Sequence, residues 1–105
     1  MRYSEMCRSI AERKLYEYKH CMSEKWSSIY KPLGWTRQKF DKVKSGKQKP
    51  NLDEIIFLKR KLGILTEDWE ITNKKPADLR FCKMPGDKIT RKNAYLMKIR
   101  DINKT

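Results

Sequence analysis

The sequence predicts an all-α fold: a compact five-helix domain over residues 1–70, followed by a basic C-terminal extension over residues 71–105 that forms a helix or a short hairpin. Three observations predict it. Apolar residues recur at helical spacing, as Ala11, Leu15, Tyr18 and Met22 do. Helix-starting residues stand just ahead of such segments, with Thr36 and Asn51 the clearest. Glycines stand just past them, at Gly46 and Gly63.

The first helix is predicted from about Ser4 to Met22. Ser9 and Glu12 are placed like a capping box inside that span, so a start near Ser9 is the alternative. A second, short helix covers Glu24 to Lys31, with Trp26, Ile29, Tyr30 and Leu33 on its apolar side. Pro32 is expected to end it, because a proline disfavours helical backbone in the residue before it. Gly34 then turns the chain at positive φ. The third helix takes Thr36 as its N-cap, stops at Gly46, and turns Phe40 and Val43 inward. The fourth opens on Asn51 and Glu54, spaced as a capping box, and its core face is Leu52, Ile55, Ile56, Leu58 and Leu62. Lys59, Arg60 and Lys61 complement the macrodipole in its last turn, and Gly63 closes it.

Thr66 is expected to cap a last short helix that returns Trp69 to the core. Further on, Lys74-Lys75-Pro76 reads as a break and Met84-Pro85-Gly86-Asp87 as a turn. Thr90 to Ile102 fits a helix with Tyr95, Ile99 and Ile102 on one face; a strand around Leu79 and Phe81 is also compatible.

Composition narrows the function. The 105 residues carry 26 Lys plus Arg against 13 Asp plus Glu, a net charge of +13. Solubility does not require such an excess, and it points to a polyanionic partner, nucleic acid or an anionic membrane. No stretch approaches the roughly 20 apolar residues of a membrane span. Arg2, Glu5, Arg8 and Glu12 interrupt any leader-like apolar run, so a soluble cytoplasmic protein is expected. Cys7, Cys21 and Cys82 are an odd set without a close pair, which suits thiols in a reducing compartment. With His20 they lack the spacing of a zinc site, so neither metal nor other cofactor is expected. Asp41, Asp53 and Glu54 form no metal-binding cluster and His20 has no evident nucleophile partner, so the chain does not read as an enzyme.

The third helix carries the chemistry. On a helical wheel, Arg37, Gln38, Asp41, Lys42 and Ser45 fan out opposite Phe40 and Val43, with Lys39 and Lys44 at the borders. Arg and Gln have the forked geometry that reads guanine and adenine edges. Lys39, Lys44, Lys47 and Lys49 surround them with charge suited to phosphates. Arg37 and Lys39 also sit in the first turn, where the macrodipole makes each exposed cation unfavourable by about 0.3–1 kcal/mol. A bound anion would offset that cost.

Several features occur together between Leu33 and Gly63: Leu33-Gly34 ahead of a Thr36 cap, apolar Phe40 and Val43, the run Gly46-Lys47-Gln48-Lys49-Pro50, and a fourth helix ending in Leu62-Gly63-Ile64. In them the chain resembles the Xre/Cro-type helix-turn-helix family of phage and bacterial repressors. Trp69 and looser matches in the first helix (Leu15, Lys19 and Met22) extend the similarity over residues 10–70. The resemblance implies a lambda-repressor-like fold whose third helix enters the major groove. It implies base reading by Arg37, Gln38 and Lys42, and backbone contacts by Thr36, Lys39, Ser45, Lys47 and Lys49. The implied partner is double-stranded DNA, bound by a homodimer on a palindromic operator with half-sites roughly 34 Å apart.

The chain departs from the family at four places. Pro32 is unusual so late in the second helix. Tyr30 replaces a small residue. Trp26 stands where a polar phosphate-contacting residue is common. Lys19 and Lys44 face each other where relatives pair a base with an acid. The implied function is a sequence-specific transcriptional regulator, a repressor, in the cytoplasm of a bacterial or phage-infected cell. Two alternatives share the fold: an antitoxin that autoregulates its operon and binds a toxin, and a protein-interaction module such as an anti-repressor. Residues 70–105 hold ten Lys or Arg against four Asp or Glu, and are expected to serve as a dimerisation element or a DNA-backbone arm.

Overall fold

Side-chain caps at Ser9, Thr36, Asn51 and Asp87 decide where four of the helices begin. The computed structural model describes residues 4–70, 79–82 and 86–104; the breaks expected at Lys74-Lys75-Pro76 and Met84-Pro85 lie outside them. In order, the elements are β1 (Ser4–Met6), α1 (Ile10–Met22), α2 (Ser27–Tyr30), α3 (Arg37–Lys44), α4 (Leu52–Leu62), a 3₁₀ turn (Thr66–Trp69), β2 (Arg80–Cys82) and α5 (Lys88–Asn103). The chain is mostly helical, and α5 realises the helix expected over Thr90 to Ile102.

The first helix starts at Ile10, not Ser4. Ser9 holds extended backbone and its Oγ accepts the Glu12 N–H at 3.1 Å, while the Glu12 carboxylate accepts the Arg8 N–H at 2.7 Å. Residues 4–6 must then satisfy their backbone elsewhere. They do so as β1, antiparallel to β2, with Ser4 opposite Cys82, Glu5 opposite Phe81 and Met6 opposite Arg80. The all-α expectation is corrected by this short ladder. It joins the start of the chain to the segment ahead of the last helix, and the Cys7 N–H extends it to the Leu79 carbonyl at 2.8 Å.

The second helix ends at Tyr30, with Lys31 as its C-cap just before Pro32, as expected, and a turn continues from there to Gly34. Lys31 keeps helical backbone at φ −61°, ψ −45°. The turn closes where Gly34 at φ +73° lets the Trp35 N–H return to the Tyr30 carbonyl and the Gly34 N–H to that of Lys31. This Schellman closure compacts the link into α3. Proline cannot donate to the carbonyl one turn earlier, that of Ser28. The Lys61 ammonium, arriving from α4, donates to that carbonyl at 3.0 Å instead.

Helix α4 has both bonds of the expected capping box and closes at Gly63 with φ +72°. Its buried stripe is Glu54, Leu58 and Leu62. Leu52 and Ile56, expected in the core, are 72% and 43% exposed. They lie one turn apart on the other side of the helix, because the stripe at i, i+4, i+8 runs through Glu54. Thr66 is the first residue of the 3₁₀ turn rather than its cap; the Asp68 carboxylate accepts the Leu65 N–H at 2.8 Å. The buried Lys14 ammonium ties α1 to this corner, reaching Asp68 at 2.5 Å and the Gly63 carbonyl at 2.8 Å.

Leu15, Ile29, Phe40, Val43, Leu58, Leu62 and Ile64 fill the centre of the core. Helix α5 packs on α1 and α4. Its buried Tyr95 donates to the Leu62 carbonyl at 3.1 Å, and burial pushes that phenol well above its usual range. Among the described residues no helix is long and apolar enough to cross a membrane.

Replacing Lys61 with Met should cost about 1–3 kcal/mol, because the Ser28 carbonyl loses its donor. In a Pro32→Ala background, which restores a backbone N–H, the same replacement should cost clearly less. Urea unfolding of the four proteins measures both, and equal costs in the two backgrounds would refute the compensation.

Candidate nucleic-acid interface

Phe40 and Val43, only 2% and 1% exposed, fix the rotation of α3. The opposite side therefore faces outward. Arg37, Gln38, Asp41 and Lys42 are exposed on it, Thr36 is exposed at its start, and Lys47 and Lys49 are exposed just beyond its end. Thr36 Oγ1 accepts the Lys39 N–H at 3.2 Å, which sets the first turn. At the other end Gly46, at φ +84°, lets the Lys47 N–H close on the Lys42 carbonyl at 2.9 Å and so places the loop beside the helix.

Four of the residues singled out from sequence are engaged within the protein: Thr36 as the cap of α3, Lys44 over the Trp26 ring, Ser45 and Lys39. Ser45 Oγ donates to the Lys42 carbonyl at 3.2 Å. Lys39 Nζ lies 3.3 Å from Glu54 Oε2. The other five, Arg37, Gln38, Lys42, Lys47 and Lys49, are exposed. With α5 packed on α1 and α4, these residues stay uncovered.

The carboxylates are drawn elsewhere. Ion pairs among the described residues join Arg8 to Glu12, Arg13 and Lys98 to Glu17, Lys14 to Asp68, and Lys39 to Glu54. These acids belong to α1, α4 and the 3₁₀ turn. Arg37, Lys42, Lys47 and Lys49 have no ion pair among the described residues. Of the two first-turn cations, then, Lys39 is paired with Glu54, and Arg37 has no ion pair among the described residues.

Glu54 is a node. One carboxylate oxygen accepts the Asn51 N–H at 2.8 Å; the other accepts the Trp35 indole at 2.5 Å as well as Lys39. Burial alone would raise this carboxyl, but the Asn51 N–H, the Trp35 indole and Lys39 outweigh it and hold the group below its usual range. The node was half legible in the sequence. Asn51 and Glu54 read as a capping box, yet nothing local shows that the second oxygen reaches across the turn to α3.

Trp26 explains how Lys19 and Lys44 coexist. Their ammonium groups lie 4.7 Å and 4.9 Å from the centre of its ring, whose π face is attractive to cations. The ring also meets Tyr16 edge-on at 5.3 Å and Phe40 at 5.5 Å, so it joins α1, the start of α2 and α3. Beside it, at the first turn of α3, lies a groove of about 370 Å³ whose lining includes Lys19, Lys25, Trp26, Tyr30 and Arg37. Lys25 was not singled out from sequence; its signal was a cation in a polar link next to an aromatic. Among the described residues no group of three His, Cys, Asp or Glu side chains gathers as a metal site requires. Compared with family models, curated proteins and solved structures, the chain matches none.

Replacing Trp26 with Leu should destabilise the protein by about 2–4 kcal/mol, through lost packing and lost cation–π attraction. Adding Lys44→Gln should recover part of that loss, since two ammonium groups no longer converge without the ring. Thermal unfolding followed by far-UV circular dichroism reads this; no recovery in the double variant would contradict the role given to the ring.

Proposed function

We propose that this chain is a sequence-specific double-stranded-DNA-binding transcriptional regulator, a repressor, that reads the major groove with α3. The observation that carries the proposal is the exposed face of α3. It presents an arginine and a glutamine side by side on a helix held by a buried apolar side, with Lys42, Lys47 and Lys49 around them, which have no ion pair among the described residues. Base edges require forked side chains held rigidly, and phosphates require cations without internal partners. Folding alone would favour an acid at Arg37, next to the positive end of the helix.

In this reading Arg37, Gln38 and Lys42 contact base edges, while Thr36, Lys47 and Lys49 contact the backbone. The resemblance of residues 33–63 to Xre/Cro-type repressors supports the same assignment, as does the order of α1 to α4 and the 3₁₀ turn, read as a lambda-repressor-like domain. A cytoplasmic homodimer on a palindromic operator follows from that likeness.

Selection of duplexes from a random pool is expected to yield a palindromic motif. On that motif, Arg37→Ala or Gln38→Ala should weaken binding by about 1–3 kcal/mol and relax specificity, while affinity for random duplex changes little. Lys47→Ala should weaken all duplexes alike and lower the salt slope by about 1. Fluorescence anisotropy across salt concentrations measures each effect. No enriched motif, or an equal loss for Arg37→Ala on selected and random duplexes, would refute base reading.

A further inference from the structure

The Lys39–Glu54 pair sits where a regulator of this kind would otherwise make an unselective contact. Lys39 lies in the first turn of α3, two residues from Arg37. An unpaired lysine there has the reach and charge for a phosphate, and a phosphate contact carries no sequence information. Its side chain is instead drawn back. Nζ is 3.3 Å from Glu54 Oε2 and 5.3 Å from the Trp35 ring centre, and the side chain is 33% exposed. The Glu54 side chain is 11% exposed, so the acceptor is part of the interior. The Asn51 N–H and the Trp35 indole fix its orientation independently of Lys39.

We propose, on the premise that α3 reads DNA, that Glu54 is a specificity and positioning residue. It retains the Lys39 ammonium within the protein, so that the first turn of α3 meets the duplex through Arg37 and Gln38 rather than through a further phosphate contact. A carboxylate this close to the duplex would normally repel it. Here its charge is already met by Lys39 and by two N–H donors, so the net effect is removal of one cation from the DNA-facing set. The pair also links α4 to α3, holding the start of the reading helix at a fixed distance from the loop that carries Lys47 and Lys49.

The distinguishing variant is Glu54→Gln. An amide of the same shape keeps one oxygen, enough for either the Asn51 N–H or the Trp35 indole but not both, and it no longer holds an ammonium by charge. A residue with a merely structural role would weaken all binding when replaced. Here Glu54→Gln is expected to bind random duplex about three- to tenfold tighter at low salt, with a log–log salt slope steeper by about 0.9, one extra phosphate contact. The ratio of selected to random affinity should fall. Adding Lys39→Met to Glu54→Gln should return the slope to the wild-type value.

In the wild-type protein, lysine acetylation read by mass spectrometry should show Lys42 and Lys47 protected by duplex and Lys39 unchanged. This readout stands even if the variant does not fold. An unchanged or shallower slope in folded Glu54→Gln, or protection of Lys39 in the wild type, overturns the assignment. Failure of wild-type protein to bind any duplex at low salt overturns the DNA reading itself, and this assignment with it.

Discussion

The burial of Phe40 and Val43 is the constraint on which the surface chemistry depends. A helix of eight residues does not persist alone in water; tertiary packing of its apolar side holds it. Those two side chains set its rotation, and rotation decides which charges face outward. Thr36 and Gly46 set its ends. The link ahead of it depends on Gly34, and Lys61 supplies the donor that Pro32 withholds from the Ser28 carbonyl. Each of these details is local, and together they hold α3 against α1, α2 and α4 while its polar side stays open.

Charge is then sorted by what folding consumes. Glu12 and Asp68 serve both as backbone acceptors and in ion pairs, and Glu54 does the same at the start of α4. Acids needed for caps and corners are not available to neutralise α3. The result is a face on which Arg37, Lys42, Lys47 and Lys49 outnumber Asp41 and have no ion pair among the described residues, a combination suited to polyanions. Trp26 extends the same logic inward, where an aromatic face takes the place of an acid between Lys19 and Lys44.

Much of this was legible in the sequence because it is encoded within one helical turn. Thr36, Asn51, Gly46 and Gly63 act where residue type alone places them, and the periodicity of Phe40 and Val43 identifies the outward face of α3. What escaped was long-range. The β1–β2 ladder joins residues more than seventy positions apart in the chain; the strand compatible with Leu79 and Phe81 is realised as β2, but its partner at Ser4–Met6 was not read. The donor that Pro32 withholds from the Ser28 carbonyl comes from Lys61 on α4, which nothing near Pro32 signals. Leu52 and Ile56 read as core because they are apolar, whereas Glu54 takes the inner stripe once its carboxylate is satisfied by the cap and the Trp35 indole. The Lys39–Glu54 pair was not legible either, since the partner sits across a turn on another helix.

The central claim is that the groove of a duplex receives the outer side of α3. Titrating isotope-labelled protein with a short duplex, and following backbone and arginine side-chain resonances, tests this most directly. Shifts concentrated over residues 36–49, with the Arg37 guanidinium among the largest, are the expected result. Shifts confined to α5, with residues 36–49 unmoved, would contradict it.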